Sequence, residues 1–247
     1  MRAPHHVRVH EPLVSIAIPT LGRPDMLTAC LDSIEQTVRA PCEVVLSMVE
    51  DDRETIARVS ERPRGAFVLR TVVEPIRQGY VKAINAAFRA ATGRYLLYLN
   101  DDCELQPHSV DNALHVMSTP HARDIGLLAF FHDTPVRRNV FAQIDVEERR
   151  YVVCHVRGLC YANFGLGPRE LFERLGYFDE RFFMYGADPD FALRIWHETD
   201  LRVEPCPGAL LRHAEVSDAR AEHEREHRAR ADNAALFAKW GLSAVTI

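Results

Sequence analysis

The chain is 247 residues long, near the upper end for one domain, and its 47% hydrophobic and 26% charged residues are the balance of a globular protein. A formal net charge of -5 excludes a global basic field for nucleic acid or anionic lipid. No apolar stretch approaches the roughly 18 residues needed to span a bilayer, and the polar start, Met1 to Pro12 with His5 and His6, lacks the apolar core of a secretion signal.

Leu13 to Ile18 reads as a first strand, stopped by Pro19. Pro24 then sits near the first turn of a helix through about Val38, with Met26, Leu27, Cys30, Leu31 and Ile34 on one face. A second strand, Glu43 to Val49, runs into the acidic cluster Glu50, Asp51 and Asp52, and Ala66 to Val73 reads as a third. Gly79 opens a helix to Ala91, with Gly93 in the place of a C-terminal cap. The order implies a parallel, doubly wound sheet with short connections.

The next strand is the most informative. Tyr95 to Leu99 is a continuous apolar run, as in a strand buried on both faces, and it ends in Asn100, Asp101 and Asp102. Ligands of open α/β sheets gather outside the carboxyl ends of such strands, where carboxylates can hold a hard cation and a cation can hold phosphates. Asn and Asp also favour plain turns, so these residues alone leave both readings open.

Beyond Asp102 the pattern loosens. A helix is expected from Pro107 to Met117, strands at Ile125 to Phe131 and Tyr151 to Val156, and a charged loop or hairpin between them from Thr134 to Arg150. Arg169 to Leu175 and Pro189 to Glu198 read as helices, with strands at Leu201 to Val203 and Ala209 to Leu211. Asp218 to Trp240 reads as a terminal helix whose mixed charge suggests a solvated face, docked through Leu236, Phe237 and Trp240. The six cysteines show no Cys-x-x-Cys pair and no disulfide framework, which fits a cytoplasmic location, soluble or peripheral to a membrane.

Four blocks occur in order: Val14 to Pro24; Gln78 to Asn85, leading to Gly93-Arg94-Tyr95; Leu99 to Asp102; and Gly176 to Asp190 followed by Arg212-His213. Together they resemble the inverting family 2 glycosyltransferases of the GT-A fold. The resemblance implies one α/β domain, a doubly wound, mostly parallel sheet flanked by helices, with a nucleotide-sugar half (13–102), an acceptor and catalytic half (103–215) and a C-terminal helical extension (216–247). It implies a nucleotide-sugar donor cradled by Pro19 and Thr20, with Arg23 in reach of phosphate. Gly79 and Lys82 open a helix whose dipole favours anions, though Lys82 reads equally as an exposed helical lysine.

Asn100-Asp101-Asp102 corresponds to the family's Asp-x-Asp element, with Asn100 in place of its first acid. Asp102 is the expected ligand of a divalent metal, Mn²⁺ or Mg²⁺, with His213 supplying an imidazole, while Asn100 or Asp101 contacts the ribose or a metal-bound water. The family reads the base with an acid just after the second strand; Met48 stands near that place, so either Asp51 or Asp52 serves through a register shift or the base is read differently. Its Glu-Asp-x-Asp element appears as Ala187-Asp188-Pro189-Asp190. Asp188 is then the catalytic base, Asp190 a support, and Arg194 faces the phosphates or pairs with an acid. Asp188 before Pro189 is also a good helix start. The alternatives are a catalytically silent GT-A module and a sugar nucleotidyltransferase; the latter would need a glycine-rich loop where Pro19 to Arg23 has one glycine. The acceptor is open among glycan, lipid-linked sugar, metabolite, protein and modified nucleic acid.

Overall fold

The computed structural model describes residues 12–135, 139–214 and 219–243. The N-terminal stretch with His5 and His6, residues 136–138 of the expected loop, and Asp218 at the expected start of the last helix lie outside them.

In chain order the elements are β1 (Val14–Pro19), α1 (Pro24–Thr37), β2 (Cys42–Val49), α2 (Arg53–Ser60), β3 (Val68–Glu74), α3 (Tyr80–Ala90), β4 (Tyr95–Tyr98), β5 (Cys103–Leu105) and α4 (Ser109–Ser118). A short 3₁₀ turn precedes β6 (Ile125–His132), followed by β7 (Val140–Val146), β8 (Arg149–Val156), β9 (Leu159–Tyr161) and β10 (Gly165–Pro168). Then come α5 (Arg169–Leu175), α6 (Ala187–Glu198), β11 (Arg202–His213) and α7 (Ala219–Trp240). The sheet runs β3-β2-β1-β4-β10-β6-β11-β5, with the hairpin β7-β8 and β9 joined to it through β6.

The doubly wound arrangement follows from two-sided apolar strands. Val14, Ile16 and Ile18 of β1 face one core with Leu27, Leu31 and Ile34 of α1. Ala17 of β1, with Leu96 and Tyr98 of β4, faces the other core, against Val81, Ile84 and Phe88 of α3 and Phe191 of α6. Strand alternation puts neighbouring residues into opposite layers, so a continuous apolar run fills both at once.

Register then sets the crevice. β1 pairs in parallel with both β2 and β4, so the chain leaves all three at the same end of the sheet. β11 runs parallel to β6 and pairs antiparallel with β5, which sets His213 opposite Cys103 and therefore beside Asp102.

The sheet differs from a strictly parallel one. β10 runs antiparallel to both β4 and β6. Its Gly-Leu-Gly-Pro sequence carries no strand pattern; it pairs because Gly167 has no side chain, a Cβ there lying 2.5 Å from Gly126 O. The two strands expected near residues 201 and 211 are one, β11, whose register with β6 shifts between Arg202 and Val203 and again between Cys206 and Leu210, the stretch that holds Pro207. The charged region after Thr134 forms the β7-β8 hairpin, and α2, which the sequence reading did not delimit, is capped by Asp52 accepting from Thr55 N.

Gly93 is not the cap of α3, which ends in extended backbone at Ala91. It lies against β1, its N–H donating to Ser15 Oγ at 2.8 Å. A Cβ at 93 would lie 2.6 Å from Ser15 N, a backbone atom in a central strand. Gly93→Ala should therefore destabilise by ~1–3 kcal/mol, as overpacking does. Thermal denaturation checks this; an unchanged midpoint would show that the strand yields freely.

Candidate active site

The carboxyl ends of β1, β2 and β4, together with α3, α6 and the end of β11, enclose a cleft of about 780 Å³. Of the expected residues, Pro19, Thr20, Arg23, Gly79, Asn100, Asp101, Asp102, Asp188 and His213 line it.

The acidic end is held from β1. Thr20 Oγ1 donates to Asp101 Oδ2 at 2.8 Å, and Arg23 lies 3.3 Å from Asp102 Oδ2 and 3.7 Å from Asp101 Oδ1. Burial pushes the Asp101 carboxyl up to about 6, even with Thr20 and Arg23 pulling it down. Burial also raises Asp102, but the adjacent imidazole of His213 and the charge of Arg23 outweigh it, and Asp102 falls below the usual carboxylate range. Two neighbouring acids thus differ in affinity for a proton because only one has an imidazole beside it.

His213 is fixed on every side. Its backbone N–H donates to Asp133 Oδ1 at 2.9 Å, its ring Nδ1 lies 2.9 Å from Thr134 Oγ1, and Asn100 Nδ2 lies 3.3 Å from its ring Nε2. Nε2 is 3.1 Å from Asp102 Oδ1, yet that oxygen is buried and receives no aligned hydrogen bond. A buried carboxylate oxygen whose one near neighbour is an imidazole nitrogen makes a pair of donors that could hold a divalent cation. Cys103 Sγ is also close, but burial holds that thiol protonated, and sulfur suits softer metals. Asp102 and His213 are the residues that would hold Mn²⁺ or Mg²⁺, with Thr134 fixing the imidazole's outer nitrogen.

Asp188 stands across the cleft on the first turn of α6, after Gly186, whose φ of 79° is left-handed. Its Oδ1 is fully enclosed and without a partner, and burial alone pushes the carboxyl up to about 8. Tyr80 and Tyr161 line the same cleft, and burial, reinforced by the nearby Asp188 carboxyl, raises the proton affinity of both phenols.

Four expected site residues lie elsewhere. Asp51 is exposed on the turn after β2 and does not line the cleft. Its neighbour Asp52 accepts from Gly22 N at 2.6 Å and caps α2. The carboxylate at this edge is Glu74, at the end of β3 opposite Val49 in the ladder, with its proton affinity raised by burial. Only the β2-β3 register reveals Glu74, because nothing marks it in sequence. Lys82 bonds Gln78 Oε1 at 3.2 Å on the outer face of α3. Asp190 is fully buried and takes Arg194 Nε at 3.0 Å, while Arg194 NH1 donates to Leu175 O, so this pair braces α6 rather than facing phosphate. Sequence reasoning also missed His132, a cleft residue held neutral by burial, which lowers it to about 4.

Residues 15–186 match the model of glycosyl transferase family 2. The chain belongs to that family. The family-2 match stops just short of Asp188, so Asp188 and His213 rest on geometry. The O-antigen biosynthesis protein RfbC of Myxococcus xanthus is 28% identical over 256 residues, covering 89% of this chain and 19% of that protein. The uncharacterized glycosyltransferase YwdF of Bacillus subtilis (strain 168) is 27% identical over 218 residues, covering 83% of this chain and 76% of that protein. The chain thus spans about a fifth of the Myxococcus relative. Its fold is shared with the mannosyltransferase PcManGT of Pyrobaculum calidifontis in complex with GDP-Man and Mn²⁺, at a TM-score of 0.67, 22% identity, and coverage of 93% of this chain and 64% of that one. It is shared too with S. aureus TarS in complex with UDP-GlcNAc, at a TM-score of 0.65, 15% identity, and 85% and 60% coverage.

Because Asp188 binds its proton far more tightly folded than the 3.8 of a free Asp, the fold loses stability as pH rises from about 4 to about 8. An asparagine carries no such penalty. The melting-temperature gain of Asp188→Asn in metal-free protein should be larger at pH 8 than at pH 5; an equal difference at both would mean that the carboxyl is well solvated.

Proposed function

We propose that the chain transfers a sugar from a nucleotide-sugar to an acceptor hydroxyl by direct, inverting displacement, supported by a divalent metal and with Asp188 as base. The observation that carries this reading is the buried, unpartnered Oδ1 of Asp188, in the same cleft that Asn100, Asp101 and Asp102 line. A base for this chemistry must sit opposite the leaving group, and a carboxyl of raised proton affinity is a competent one near neutral pH.

In this scheme residues 13–102 hold the donor. Its nucleoside lies over the Ser47 to Val49 edge beside Glu74, and its diphosphate lies toward Arg23 and the Asp102–His213 pair. A bound Mn²⁺ or Mg²⁺ would neutralise charge on the departing diphosphate. Residues 103–215 bring the acceptor. Asp188 takes the hydroxyl proton as that oxygen bonds to the anomeric carbon and the bond to the diphosphate oxygen breaks, so the configuration inverts. Complexes of the structural relatives with GDP-Man and Mn²⁺ or with UDP-GlcNAc support this kind of donor. All six cysteines are free, in keeping with a reducing cytoplasmic compartment. Among the described residues no helix is long and apolar enough to cross a membrane.

Asp188→Asn should lower nucleoside diphosphate release from a nucleotide-sugar by ~10²–10⁴-fold, the usual worth of a general base, with donor affinity retained. UDP-glucose, UDP-GlcNAc and GDP-mannose with Mn²⁺ are the probes. Equal turnover by wild type and variant would remove Asp188 from the chemistry, and donor binding without turnover in wild type would favour a silent module.

A further inference from the structure

The last helix holds the turn that carries Asp188, although it lies wholly beyond the residues matched by the family. Asp232, in the middle of α7, is 5% exposed. Its Oδ1 accepts from Phe183 N at 3.0 Å, and its Oδ2 accepts from Met184 N and Tyr185 N, both at 2.9 Å. Three consecutive backbone donors thus close on one buried carboxylate, the arrangement that satisfies such a charge without a cation.

Those amides belong to the segment running into Gly186 and α6, and Met184 and Tyr185 line the cleft. The segment is also pinned to α3: Phe183 O accepts from Val81 N at 3.2 Å, and the Phe183 ring occupies the space where a Cβ on Gly79 would be, 2.7 Å from it. On the far side of Asp188, α7 returns. Lys239 Nζ lies 2.6 Å from Asp190 Oδ1 and 2.9 Å from Asp179 Oδ2, and Trp240 Nε1 donates to Asp190 Oδ1 at 2.7 Å. Leu236 of α7 packs beside Gly186 in the core. The helix therefore grips the chain before and after Asp188 while touching the cleft with none of these groups.

We propose that α7 is part of the catalytic apparatus, with Asp232 a positioning residue that fixes the 183–186 turn and hence the direction in which Asp188 meets the acceptor. This rests on the reading of Asp188 as base. Loss of the anchor moves the base by a fraction of its reach, and misplacement on that scale is enough to slow a displacement strongly.

Three measurements test it. In wild type, hydrogen exchange should find the 183–185 amides protected; exchange at unprotected rates in the folded protein overturns the proposal, whatever any variant does. Asp232→Asn, which turns an amide group toward the backbone donors, should speed exchange there by at least about tenfold, and lower kcat for Mn²⁺-supported turnover of UDP-glucose, UDP-GlcNAc or GDP-mannose by ~10–100-fold. The KM for the donor should change by less than kcat does, because Asp232 bonds none of Thr20, Arg23, Glu74, Asp102 or His213. An unchanged kcat, or a loss shared equally between kcat, donor KM and melting temperature, contradicts a positioning role. Asp188→Asn run in parallel separates the two ideas. If it turns over donor like wild type, the base reading falls; if it is inactive while Asp232→Asn is not, only the role of α7 falls.

Discussion

Removal of water from three carboxylates in one cleft is the constraint on which the rest of the structure depends. Asp101, Asp102 and Asp188 are carried to the same place by unrelated segments, and each solves its desolvation differently. Asp102 keeps its charge through His213 and Arg23, Asp101 through the Thr20 hydroxyl and Arg23 at higher proton affinity, and Asp188, its Oδ1 enclosed without a partner, holds its proton more tightly. Burial of uncompensated charge is costly, so Asp188 meets its desolvation by holding a proton, whereas Asp102 meets it with cationic and imidazole neighbours.

Strand register is what makes the convergence possible. β1, β2 and β4 deliver their ends side by side, and the β11-β5 pairing brings His213 to Asp102 across a long sequence separation. The Asp102–His213 pair, with Oδ1 and Nε2 3.1 Å apart, is the local result.

Much of this was legible in the sequence because the signals were local or two-sided. The β1, β2 and β4 runs, Pro24 at the start of α1, and Asn100 to Asp102 after an apolar strand each carry their own physics. What escaped depends on partners far along the chain. Gly93 reads as a helix cap but is a contact point for β1, and β10 has no pattern because its glycines exist for close packing. Asp51 reads as a base-binding acid, yet cleft membership at that edge passes to Glu74 through the β2-β3 ladder. Arg194 reads as a phosphate ligand or an acid's partner; its burial beside Asp190 selects the latter. The charged α7 reads as a solvated helix docked by its last turns, and Leu236 is indeed buried, but Asp232 is satisfied by backbone amides that no sequence pattern marks.

The central claim is that the Asp102–His213 pair is built to hold a divalent cation opposite Asp188. Electron paramagnetic resonance of Mn²⁺ titrated with the protein and UDP or GDP tests it most directly. The account predicts that wild type removes the free-ion signal with one-to-one stoichiometry and that Asp102→Asn leaves most of it. Free Mn²⁺ persisting with wild type, or equal uptake by Asp102→Asn, would contradict it.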